Sequence, residues 1–251
     1  MILIKSPREI DKMRVSGRLT ADVLSEVIGS IRSGMTTGEL DKVCDRILRR
    51  RGCVAAFKGY HGYPGNLCVS VNEEVVHGIP GRRRLREGDI VSLDFGVLKD
   101  GYYGDMAVTV AIGDVSKEKL RLMDVTREAL SKGIEKACPG NRLGDVSCAI
   151  GSYVEQNGFS VVRDYVGHGI GRNMHEEPQI PNFGVSGTGP LLKEGMVLAI
   201  EPMVNMGGFK VKTKSDGWTV VTGDGKPSAH FEHTILITKN EPEVLTWQKK
   251  I

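Results

Sequence analysis

Apolar residues recur along this chain with two different periods. Ile10, Met13, Val23, Leu24, Val27 and Ile31 follow helical spacing behind Ser6-Pro7-Arg8-Glu9, a capping box with proline at the first helical position. The pattern predicts a helix from about Pro7 to Ser30. A second helix follows Thr37 (Leu40, Val43, Ile47, Leu48) and stops at Gly52; a third opens at Ser116, and a fourth spans Leu143 to Gln156 before Asn157-Gly158. Between the helical pairs the apolar period shortens to that of strands. Strands are predicted at Val69–Val76, Asp89–Leu98, Tyr102–Ile112, Ser160–Tyr165 and Gly195–Val204, then in hairpins to Leu245.

The order is two helices then strands, twice over, and the repeat is also written in the residues. Leu85-Arg86-Glu87-Gly88 runs into Asp94 as Leu192-Lys193-Glu194-Gly195 runs into Glu201, each acid nine positions after its leucine. Each copy reads as a polar turn feeding a buried strand that bears a carboxylate. The expectation is an α+β fold of two similar halves, about 1–113 and 114–251, in one domain. A shared, mostly antiparallel sheet would carry the helices on its outer face.

Asp94 and Asp105 flank Asp100-Gly101, which favours a two-residue type I′ turn. In that register Asp94 pairs with Ala107, and Asp105 lies diagonal to Asp94 on one face, while Val91, Leu93, Phe95 and Val97 take the other. Glu232 shares a strand face with His230 and Thr234. Two carboxylates about 4 Å apart repel by roughly 4 kcal/mol at an effective dielectric of 20. Four gathered acids would have to separate, take up protons or meet cations. Two divalent ions would balance four carboxylates, with a neutral histidine as nitrogen ligand, the composition of a two-metal hydrolytic centre.

Other motifs do not hold. Gly167-His168-Gly169-Ile170-Gly171 lacks the spacing of a dinucleotide loop, Gly223-Asp224-Gly225-Lys226 that of a phosphate loop, and Pro178 breaks the zinc-protease helix that His175-Glu176-Glu177 would begin. A net charge of +3 over 251 residues does not identify a nucleic-acid binder, and Arg49-Arg50-Arg51 and Arg82-Arg83-Arg84 read as a solvated helix end and turn. Five cysteines without a Cys-x-x-Cys pair point to a reducing compartment. No signal-peptide or membrane-length apolar run is present, so a cytoplasmic protein with no membrane association is expected.

Asp94, Asp105, His168, Glu201 and Glu232 in this order, with Gly59-Tyr60-His61-Gly62-Tyr63-Pro64, Val71-Asn72-Glu73-Glu74-Val75-Val76-His77-Gly78-Ile79-Pro80, Met174-His175-Glu176-Glu177-Pro178, Ile200-Glu201-Pro202-Met203-Val204 and Phe231-Glu232-His233-Thr234, resemble the type I methionine aminopeptidases. The resemblance covers essentially the whole chain and implies the pita-bread fold. It implies that the five named residues bind two divalent ions (Mn, Fe, Co or Zn). A metal-bridged hydroxide would then attack the first peptide bond, with Glu201 as acid and base, His175 supporting the oxyanion and His77 meeting the scissile amide. It also implies a methionine pocket of Tyr60, Tyr63, Cys68 and Trp218, closed by Phe57 and Met174.

Phe57, Met174 and His230 depart from the cysteine, phenylalanine and glutamine common in that family. The implied partners are N-termini of nascent polypeptides, near the ribosomal exit tunnel, for a monomer with no specific nucleic acid. The Xaa-Pro peptidases share the five ligands but usually carry an extra N-terminal domain, whereas here the first helix is expected to begin at Pro7. The separation of 33 positions from His168 to Glu201 is too short for the insertion expected of type II enzymes. A non-catalytic relative binding RNA would be expected to have lost ligands, and all five are present.

Overall fold

The computed structural model describes residues 1–247. Its helices are α1 (Pro7–Gly29), α2 (Thr37–Arg51), α3 (Lys117–Lys136) and α4 (Leu143–Gln156). Glu9 reaches back to the Ser6 amide at 2.9 Å and Glu39 to that of Thr36 at 2.7 Å, so both helices of the first pair start on capping boxes.

The first half contributes strands β1 (Val54–Ala55), β2 (Cys68–Val71), β3 (Glu74–Val76), β4 (Ile90–Lys99) and β5 (Tyr102–Ala111). The second contributes β6 (Ser160–Val161), β7 (Gly167–Gly169), β8 (Glu176–Ile180), β9 (Val197–Ile200) and β10 (Met203–Asn205). After these come β11 (Val211–Thr213), β12 (Val220–Thr222), β13 (Ser228–His230), β14 (Glu232–Leu236) and β15 (Glu243–Val244). The main sheet runs β1-β4-β5-β14-β9-β7-β8, with β2 also on β4 and β15 on β14, and its pairings are antiparallel. Small three-stranded sheets, β13-β10-β6 and β11-β12-β3, stand beside it.

The order β2-β4-β5-β14-β9-β7 reads alike outward from the β5–β14 seam, which is the pseudo-twofold of the fold. The two Leu-x-Glu-Gly turns are superposable in their bonding. Gly34 N donates to Leu85 O and Leu85 N to Met35 O; Gly140 N donates to Leu192 O and Leu192 N to Asn141 O. Gly88 and Gly195 both adopt φ of 85°, a left-handed conformation that other residues enter only with strain.

Each half has its own core on the helix side. Leu93, Phe95 and Val97 meet Leu24, Val27 and Leu40 in the first; Leu198, Ile200 and Ile235 meet Leu122, Leu130 and Ile150 in the second. Alternation along the strands turns the acids to the opposite face.

Three strands are shorter than the apolar runs suggest. Asn72, at φ 52°, turns between β2 and β3. Pro202, with no N–H for a ladder, ends β9 and sends the chain into the small sheet as β10. Phe231 is the matching break, its N–H donating to Pro202 O at 3.3 Å, where the chain returns from β13 to β14. The strand expected over Ser160–Tyr165 keeps only Ser160 and Val161.

Candidate metal centre and its pocket

The type I′ turn sets the site's first coordinate. Asp100 and Gly101 both have positive φ, and the hairpin they close places Asp94 opposite Ala107 and Gly96 opposite Asp105. Ala107 is in turn opposite Glu232 across the seam, and Asp94 opposite Cys68 on β2. One row of the sheet therefore reads Cys68, Asp94, Ala107, Glu232. The methyl of Ala107 leaves open the space between two acids whose strands lie about 10 Å apart. Across the same seam Thr234 Oγ1 accepts from Asp105 N at 2.9 Å and donates to Asp105 O at 2.8 Å, fixing that acid's backbone.

Glu201 enters from the end of β9 and His168 from β7, its neighbour. His168 Nε2 is 3.5 Å from Glu201 Oε1 and 4.0 Å from Asp105 Oδ2. Its Nδ1 is 2.9 Å from Gly169 O. A carbonyl only accepts, so the proton sits on Nδ1 and the bare lone pair of Nε2 faces carboxylate oxygens. That juxtaposition is repulsive until a cation lies between, and donor atoms of Asp105, His168 and Glu232 come within 4.8 Å of one another. Asp94 Oδ1 and Glu232 Oε1 are buried with no hydrogen-bond partner. Hard oxygens with one imidazole nitrogen suit a divalent transition metal, so the residues fit such an ion.

Burial dominates the titration of the acids. It pushes Asp105 up to about 7, against a hydrogen bond from Met106 N. Burial and the Asp105 charge raise Asp94 well above the carboxylate range; burial, then Asp105 and Asp94, raise Glu201, and burial, then Asp105, Glu201 and Asp94, raise Glu232. The histidines are held neutral: burial, then His175, lowers His168 to about 3 and His77 to about 4, and burial, then His61, lowers His175.

All thirteen residues expected at the site line one cavity of about 420 Å³. One wall carries the acids and His168. Another is the apolar cluster of Phe57, Tyr63, Cys68 and Met174 with Tyr60 and Trp218 against it. Tyr63 meets Phe57 and Trp218 edge to face, at 6.5 and 5.2 Å between ring centres. His77 lies 6.3 Å from the Trp218 ring, and the Tyr60 hydroxyl is 2.7 Å from His175 Nδ1. His61, to which the sequence reading gave no role, also lines the cavity, its ring 4.4 Å from that of Tyr60; its position beside Tyr60 was the available signal.

The arginine triplets are largely engaged within the chain: Arg49 pairs with Asp45, Arg50 and Arg51 with Glu26, Arg83 with Glu73 and Glu74. All five cysteines are unpaired. No helix among the described residues is long and apolar enough to cross a membrane.

This grouping of acids and imidazole on a duplicated sheet is that of a metallopeptidase. The description of metallopeptidase family M24 matches residues 11–239, and the chain belongs to that family, using divalent metal. Its place within the family is among the methionine aminopeptidases. A methionine aminopeptidase of Clostridium perfringens is 53% identical over 246 residues, covering 98% of this chain and 99% of that protein. The crystal structure of methionine aminopeptidase from Thermotoga maritima matches with a TM-score of 0.97 at 52% identity, over 99% of this chain and 100% of that one. The prolidase of Pyrococcus horikoshii shares the fold, with a TM-score of 0.81 at 23% identity over 65% of its length.

Proposed function

We propose that this chain removes the N-terminal methionine from nascent proteins and peptides, preferring a small second residue, and that residues 1–251 act as one catalytic domain whose halves each supply part of the centre. The observation that carries the reading is the bare Nε2 of His168 among four raised carboxylates, beside an apolar pocket in the same cavity. Asp94, Asp105, His168, Glu201 and Glu232 would hold two divalent ions, of manganese, iron, cobalt or zinc. Bound there, the ions supply charge neutralisation and an acidified water.

The chain's own residues do the rest. The methionine side chain enters between Tyr60, Tyr63, Cys68 and Trp218, with Phe57 and Met174 closing the pocket around an unbranched thioether. Asp94 stands beside Cys68 in the row, so the substrate's free amine is drawn to the acid nearest the pocket. That restricts cleavage to the first residue. Glu201 takes the proton of the attacking water and returns it to the leaving amine. His175, with Nδ1 against the Tyr60 hydroxyl, directs Nε2 toward the carbonyl oxygen as charge develops there. His77 meets the scissile amide or the residue after it. A cytoplasmic monomer acting on N-termini as they leave the ribosome completes the proposal.

Peptides Met-Ala and Met-Gly with short extensions, assayed for free methionine, test this reading. Cleavage is expected to stop on exhaustive chelation and to return with manganese or cobalt, and Glu201→Gln should abolish turnover while leaving the fold intact. Full activity after chelation, or near-normal turnover of that variant, would refute the mechanism.

A further inference from the structure

Five buried side-chain atoms among the described residues lack a hydrogen-bond partner. Asp94 Oδ1 and Glu232 Oε1 belong to the acids of the centre, and Asn205 Oδ1 lies on β10. The other two are both ring nitrogens of one residue, His230. This imidazole is 1% exposed at the end of β13, and its Nε2 lies 3.7 Å from Glu201 Oε2. The other oxygen of Glu201 faces His168 Nε2 at 3.5 Å. The Glu201 carboxylate thus stands between two imidazoles.

A buried polar group left unpaired costs about 1–3 kcal/mol. The backbone of His230 is held, because its N–H donates to Thr109 Oγ1 at 2.9 Å and its carbonyl accepts from the same hydroxyl at 2.8 Å. Only the ring is left to adjust. Less than 1 Å of movement brings Nε2 to the about 2.8 Å of a charge-assisted bond to the carboxylate.

We propose that His230 is a positioning residue for Glu201: its Nε2–H donates to Oε2 and keeps Oε1 turned toward His168 and the ion-binding side. This rests on the role assigned to Glu201 above. A partner at this place controls the direction of a ligand carboxylate, a contribution typically of tenfold to a hundredfold in metal affinity.

The test compares His230→Met with His230→Gln in the full chain. Both fill the space of the imidazole and only Gln keeps an N–H donor. Manganese affinity is read by calorimetry on chelated protein, kcat and KM on Met-Ala peptide, and the visible spectrum on the cobalt-loaded form. H230M is expected to bind manganese at least tenfold more weakly, to lose kcat with KM little changed and to shift the cobalt bands, while H230Q stays within about threefold of wild type. Independently, nitrogen NMR of histidine-labelled, zinc-loaded wild type should show His230 as the Nε2–H tautomer. Unchanged manganese affinity and cobalt spectrum in H230M, equal losses in both variants, or a bare Nε2 would overturn the proposal. An active Glu201→Gln enzyme would instead overturn the reading beneath it.

Discussion

Asp105→Asn removes a proposed metal ligand, yet it should make the chelated protein more stable. Asp105 is 4% exposed, and burial moves its carboxyl from the ordinary 3.8 up to about 7. Below about pH 4 the folded and unfolded chains are both protonated at this position and the variant has no advantage. As pH rises through the interval from 4 to 7 the unfolded chain gives up its proton first. Folded wild type therefore loses stability progressively, and the loss is complete above pH 7. At about 1.4 kcal/mol per tenfold, the penalty reaches roughly 4 kcal/mol at pH 8. Asn carries no charge and its Oδ1 can still accept from Met106 N, so the variant escapes it.

Urea unfolding in chelator, followed by the fluorescence of Trp218 and Trp247, should thus favour Asp105→Asn by several kcal/mol at pH 8 and by almost nothing at pH 4. Comparing the two proteins at each pH cancels the buried histidines, which titrate in both. Manganese at a hundred times its dissociation constant adds about 2.7 kcal/mol to wild type, and the gap should narrow to roughly 1 kcal/mol. A stability difference independent of pH, or wild type the more stable in chelator at pH 8, would refute the reasoning.

Other consequences can be measured directly. Lys5 and Glu176 form an ion pair with both side chains 5% exposed, so Lys5→Ala strands a buried carboxylate and should cost about 3–5 kcal/mol by urea unfolding, with much of it regained in Lys5→Met/Glu176→Gln. Gly78 has no room for a methyl, since a Cβ would sit 2.3 Å from Val69 O; Gly78→Ala should cost about 1–3 kcal/mol, seen as a lower Tm, and should raise KM by displacing His77.

The hairpin that places Asp94 and Asp105 was legible to the residue because its turn chemistry is local: Asp100-Gly101 determines the register and the register determines which side chains share a face. The helices were legible for the same reason, through Ser6, Glu9 and Gly52. The breaks at Pro202 and Phe231 were not. A run of apolar residues looks the same whether it stays in one sheet or crosses to another, and the crossing depends on a bond between Phe231 N and Pro202 O, distant in sequence. Glu201 consequently sits just past the end of β9 and Glu232 at the first residue of β14, where the chain changes sheets. The seam that sets Glu232 beside Ala107 is likewise a long-range pairing that neither periodicity nor turn residues encode. The family text, rather than pattern, brought His168 and the pocket residues into the candidate set.

The row Cys68, Asp94, Ala107, Glu232 has a consequence in time. Its first three members come from neighbouring strands and can be assembled early, but the fourth arrives with β14, well over a hundred residues later. Pairings between such distant segments close slowly, because the intervening chain must be ordered first. Ion capture should therefore mark one of the last steps of folding. During its own synthesis the chain cannot act until β14 has left the ribosome and zipped onto β5. Until then the buried acids of the first half remain free to hold protons.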